Sequence, residues 1–332
     1  MLKNYTKIIA VAFLAASAAS TCAFAQHVVG TITLPNLPEG LAADPFTNQI
    51  FVAVPNFGAE PYDFLTVIDG RSDKVIKNIK IPPVAYAVAV DPFDCLAFVG
   101  GINLETEKSE VVVVDEKTGR VLGQVQISST PGDGILGLAY DARNNDLYVS
   151  NGSDNEMDVV HDLKVKERIA LSAEPFGVVV NPFVDRLYVA LQSGSVTTID
   201  TKTHAATTTA VGTADAGITV DVLSGNVFTA NAVYTDAVPN MGVGVLNRAG
   251  TTVLATVSAG NTPIGIDVDS FTHNVYVANT QDGTVSVIDG KTFTNVDTLP
   301  VSGLFLTVNP FTRKVYVGAD NSSPTVTVIT EH

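Results

Sequence analysis

Cysteine is almost missing from this chain. Only Cys22 and Cys95 occur, and if residues 1–25 are removed, as argued below, Cys95 stands alone. No intramolecular disulfide can then form. Stability must come from an apolar core, which about 300 residues can supply. Cations are scarce too, with 19 Lys and Arg against 34 Asp and Glu and a formal charge of −15, or −17 without Lys3 and Lys7. The remaining Lys and Arg look scattered along the chain, so phosphate backbones and anionic membranes are poor default partners. No long apolar run follows residue 19, and none suits a transmembrane helix. The five histidines include no pair at metal-ligand spacing, which counts against zinc, copper or haem ligation and a histidine general acid. A G-x-S-x-G nucleophile elbow is missing as well.

What is present begins with an export signal. Lys3 and Lys7 supply a positive start, Ile8 to Ala19 an apolar stretch, and Ala23-Phe24-Ala25 an A-x-A cleavage site before Gln26. Residues 1–25 are therefore expected to be a cleaved signal peptide, and residues 26–332 a single periplasmic or secreted domain acting as a monomer.

That domain is a repeat. An Asp or Asn is followed seven residues later by an aromatic in seven places: Asp44/Phe51, Asp91/Phe98, Asp141/Tyr148, Asn181/Tyr188, Asp221/Phe228, Asp269/Tyr276 and Asn309/Tyr316. The intervals of 47, 50, 40, 40, 48 and 40 residues suit one four-stranded blade each. Five copies add a phenylalanine two residues after the acid or amide: Phe46, Phe93, Phe183, Phe271 and Phe311. The Asp/Asn-Pro-Phe segment reads as the turn between strands one and two, because Asp and Asn side chains bond backbone two residues on and Pro presets φ. All twelve aromatics are expected in the core. The pattern predicts an all-β, seven-bladed β-propeller of four-stranded antiparallel blades. The chain ends after the third strand of the last blade, while His27–Pro35 (HVVGTITLP) matches Lys74–Pro82 (KVIKNIKIP) position for position. The N-terminal strand should thus complete the last blade and close the ring.

VYVAN at Val275–Asn279 followed by TVSVID at Thr284–Asp289, with looser copies LYVSN at Leu147–Asn151 and VFTAN at Val227–Asn231, resembles the YVTN repeat of YncE-like and surface-layer β-propellers. The absence of tryptophan disfavours WD40 repeats. The resemblance spans the chain after residue 25. It implies an exported seven-bladed propeller with a binding role, and leaves open a structural role in the cell envelope or surface layer.

Two kinds of connection alternate in a propeller. Those joining strands one to two and three to four share one face and are short and uniform here; those joining two to three and four to one share the other and vary in length. Variable loops on a rigid frame commonly carry binding, so a non-enzymatic binding scaffold is expected to use this loop-rich face. A Pro-x-Gly pattern recurs where strand one begins, and its middle residues predict a ring at the central mouth: Glu39, Tyr86, Leu136, Phe176, Ala216, Ile264 and Leu304. Aromatic anchors beside isolated carboxylates suggest Glu39, Tyr62, Tyr86, Phe176, Asp215, Tyr234 and Phe305 as contacts. The expected partner is a protein, a peptide or a small ligand, and the acidic rim favours a cation. Plugging of the channel by packing is the competing reading of the ring. Acid-rich loops such as Asp154 to Asp158 could hold calcium, but they lack the glycine and length of an EF-hand loop, and a solvated acidic loop is the preferred account. One enzymatic alternative is a metal-dependent lactonase similar to regucalcin and gluconolactonase propellers, with Glu39 and Asp215 as the only matching ligands.

Overall fold

The computed structural model describes residues 26–331 apart from 58, 104–105, 131–133, 213–214, 233–240 and 321–322, and apart from the side chains of Asp215 and Met241. The proposed signal peptide lies outside the described residues. The described elements are strands, arranged as seven four-stranded antiparallel sheets. The first six blades follow the chain, at 41–81, 87–128, 135–170, 175–210, 215–258 and 263–299. The seventh combines 306–331 with the N-terminal strand Gln26–Thr33, which pairs antiparallel with Thr325–Glu331 from Gln26↔Glu331 to Thr33↔Thr325. Chain-end strands that pair with each other leave no open gap between first and last blades, and so fewer free sheet edges.

The repeated acid or amide makes the expected turn in every blade. Asp44 Oδ1 accepts from the backbone N–H of Phe46 at 2.8 Å, and Asp91, Asp141, Asn181, Asp221, Asp269 and Asn309 each accept from the residue two positions on at 2.8–3.1 Å. All seven are buried. Their carboxylates and amides stay inside because they satisfy turn backbone that strand pairing leaves over.

The strand-two aromatics are buried as expected, and they tie each blade to the next. The hydroxyl of Tyr188 donates to the carbonyl of Arg248, that of Tyr276 to Glu331, and that of Tyr316 to Asp73 at 3.1 Å. Each acceptor belongs to the following blade, at the end of its third strand or in the turn just after it. The core is accordingly a series of apolar layers between neighbouring sheets; one joins Phe51 and Leu65 of blade 1 to Val99 and Val112 of blade 2.

Candidate functional site

The Pro-x-Gly segments do form a ring. In blade 6, Pro263 pairs with Asn279 and pairing resumes at Ile266↔Val277, so Ile264 and Gly265 turn toward the axis. Gly265 N–H donates to the Leu304 carbonyl of blade 7 at 3.0 Å, and a Cβ on Gly265 would lie 2.5 Å from that oxygen. Gly40 stands in the same relation to the Tyr86 carbonyl, with a 2.7 Å hydrogen bond. Only a residue without Cβ lets first strands approach so closely.

Inside this ring, Tyr86, Phe176 and Phe305 line one central cavity of about 160 Å³. Tyr86 meets Phe305 edge to face at 6.0 Å, and Phe176, Leu304 and Phe305 pack with Ala216 and Ile264. Glu39 directly precedes a lining glycine and is 7% exposed. Burial pushes its carboxyl up to about 7. Apolar packing thus narrows the channel, with a single carboxyl among the described ring residues.

Tyr62, another expected contact, does not join them. Tyr62 lies in the strand two to three loop of blade 1, where its ring packs edge to face on Phe64 and is covered by the Lys80 ammonium at 3.8 Å. Tyr234 and the Asp215 side chain lie outside the described residues. In the acidic loops, Asp63 accepts from the N–H of Asn56 and of Ala85 at 2.8 and 2.9 Å. Asp154 and Asp158 share the Asn151 amide, and Arg168 pairs with Glu156 and Asp158. Among the described residues no three Asp, Glu, His or Cys side chains are grouped to hold a metal ion. The described mouth residues around Glu39 are apolar or aromatic, so they do not fit the oxygen-rich metal centre that the lactonase reading requires.

The opposite face corrects the sequence reading. Phe46, Phe93, Phe183, Phe271 and Phe311 are not in the core but 41–55% exposed. The reason is local: the Asp or Asn side chain takes the N–H of this very residue, so its ring sits at the turn tip, beyond the end of the sheet. Four of the rings touch in a row across blades 6, 7, 1 and 2. Phe271–Phe311, Phe311–Phe46 and Phe46–Phe93 have centroids 5.8, 6.1 and 5.4 Å apart. Leu223 occupies the equivalent turn position in blade 5, also exposed, and Arg143 in blade 3. Basic residues gather on the same face. Twelve of the seventeen Lys and Arg beyond residue 25 lie in, or as the first residue after, a one-to-two or three-to-four connection. They are segregated rather than scattered, although aspartates of the same turns answer several of them, as in Lys202–Asp185 and Lys314–Asp73.

Comparison with protein-family models and with curated proteins found no match.

Proposed function

We propose that this protein is an exported, non-enzymatic binding scaffold of the YVTN-repeat type that engages a partner protein through the phenylalanine arc of its turn face. The arc carries this reading. Water-exposed rings in mutual contact form a contiguous apolar patch, which soluble proteins rarely leave uncovered without a use, and aromatic side chains are the anchors that interfaces favour. The export assignment rests on residues 1–25, and placement in the periplasm or outside the cell follows from it. Benzoylphenylalanine introduced at position 46 or 311 in the native cell is expected to give a discrete photo-crosslinked adduct. The same group at exposed Thr207, on the outer strand of blade 4, should give none. Equal labelling at all three positions, or no adduct from the arc, would refute the assignment.

One observation favours a second use of the opposite face. Glu39 is a buried carboxyl poised near neutrality, directly before Gly40, which lines the central cavity with Tyr86, Phe176 and Phe305, a setting that suits a small cationic ligand above about pH 7, once Glu39 is ionised.

A further inference from the structure

Blade 3 has a shorter hairpin than its neighbours. Strands three and four are joined by four to six residues in blades 1, 2, 4, 5 and 6, but in blade 3 by Asp162 and Leu163 alone. Both have positive φ, 48° and 58°, as a two-residue hairpin demands. The longer turns reach over the strand-two aromatic of the preceding blade. Phe293 lies 6.4 Å from Phe228, and the turn of blade 1 receives the Tyr316 hydroxyl. The blade 3 turn stops short of Phe98, the corresponding residue of blade 2. Leu163 leans outward instead, over Gly123, where a Cβ would come within 2.6 Å of its Cδ1.

The space left over is a cavity of about 290 Å³ between blades 2 and 3. Phe98 and Tyr140 stack at 5.1 Å and 23° in its wall, and Leu147, Val160, Leu122 and Leu163 supply further apolar surface. Its rim carries Asp94, Asn145 and Asp162, all exposed. The cavity is larger than the central one and approaches the lower limit of small-molecule sites.

We propose that this inter-blade cavity binds a small amphiphilic cation, an aryl- or alkylammonium ion, with its apolar body against Phe98, Leu147 and Val160 and its head group between the Tyr140 ring and the Asp94 and Asp162 carboxylates. The lining provides the two things such an ion requires: apolar walls that shed water from its body, and an aromatic face with carboxylates for its charge. The Tyr140 hydroxyl senses the same field: burial first, then Asp91, Asp94 and Asp141, hold its proton on well beyond the ordinary phenol range. An anion of equal size would meet that field with the wrong sign.

The test compares three probes of one shape, 2-phenylethylammonium, 2-phenylethanol and phenylacetate, by methyl NMR of the protein. The ammonium ion should shift the Leu122, Val160 and Leu163 methyl signals with an affinity about tenfold above that of the alcohol, and phenylacetate should leave them in place. Asp94→Asn should erase most of the tenfold preference while the alcohol still binds. Replacing residues 162–163 with the blade 6 turn Gly-Lys-Thr-Phe should fill the cavity and abolish binding of all probes. Val160→Phe does the same with a single substitution and guards against a graft that fails to fold. Silent methyl signals with the ammonium ion, equal affinity for ion and alcohol, or undiminished binding in folded Val160→Phe would each overturn the proposal.

Discussion

Glu116 illustrates how single residues here are held in unusual states. It sits in the three-to-four turn of blade 2, almost fully buried, with the carboxyls of Asp44 and Asp91 nearby. Burial, followed by the charge of Asp44, pushes its own carboxyl up to about 8. In the unfolded chain it would titrate near 4.5. Below that value both states hold the proton and the fold has its full stability. As pH rises from there through about 8, the unfolded chain sheds a proton that the native state retains, so stability falls and then levels off. Glu39, shifted to about 7, and Asp158 and Asp269, each shifted to about 6, act in the same direction. The melting temperature is therefore expected to drop between about pH 5 and about pH 9, and Glu116→Gln should flatten much of that drop. A variant whose melting follows the parent at every pH would show that Glu116 is not the protonated residue.

At the scale of the strand and turn, the seven Asp/Asn–aromatic pairs were legible because each carries two constraints at once, a side chain that caps a turn and an aromatic that fills the layer between blades. The five turn phenylalanines were not. A Phe beside Pro looks the same in sequence whether its ring enters the core or leaves from the turn tip, and only the path of the backbone decides. Nor could the two-residue link at Asp162-Leu163 announce a cavity, since that depends on Phe98, more than sixty residues earlier, facing the gap. The mouth ring was readable from Pro-x-Gly, whereas the separation of Tyr62 from it was not, because Tyr62 belongs to a loop that follows no repeat. The ring makes its own demand on glycine. Gly265→Ala places a methyl group against the Leu304 carbonyl, which is backbone of the next blade and cannot step aside. Thermal or urea unfolding should show a loss of roughly 1–3 kcal/mol from such overpacking. A parent-like midpoint would mean that the first strands are not so close.

For the molecule as a whole, closure is the property that holds the blades together. The pairing of Gln26–Thr33 with Thr325–Glu331 links the two ends of the domain, and Glu331 in turn accepts hydrogen bonds from Asn274 and the Tyr276 hydroxyl of blade 6. Removing residues 26–33 would expose the edge of the last blade and take away Ile32, uncovering Val326 and Val328 of the same apolar layer. The loss should be global: amide protection is expected to decline in all seven blades, not in blade 7 alone. Protection lost only from residues 306–331 would indicate blades that stand independently.

The functional account turns on whether the five turn phenylalanines are a recognition surface or displaced core. The melting temperature of the triple variant Phe46→Ser, Phe271→Ser, Phe311→Ser decides this most directly. A surface reserved for a partner contributes little to the isolated fold, so the melting midpoint should stay within a few degrees of the parent's. A fall like that expected for emptying a buried aromatic site, on the order of 3–5 kcal/mol per ring, would return these residues to the core and contradict the proposed role of the turn face.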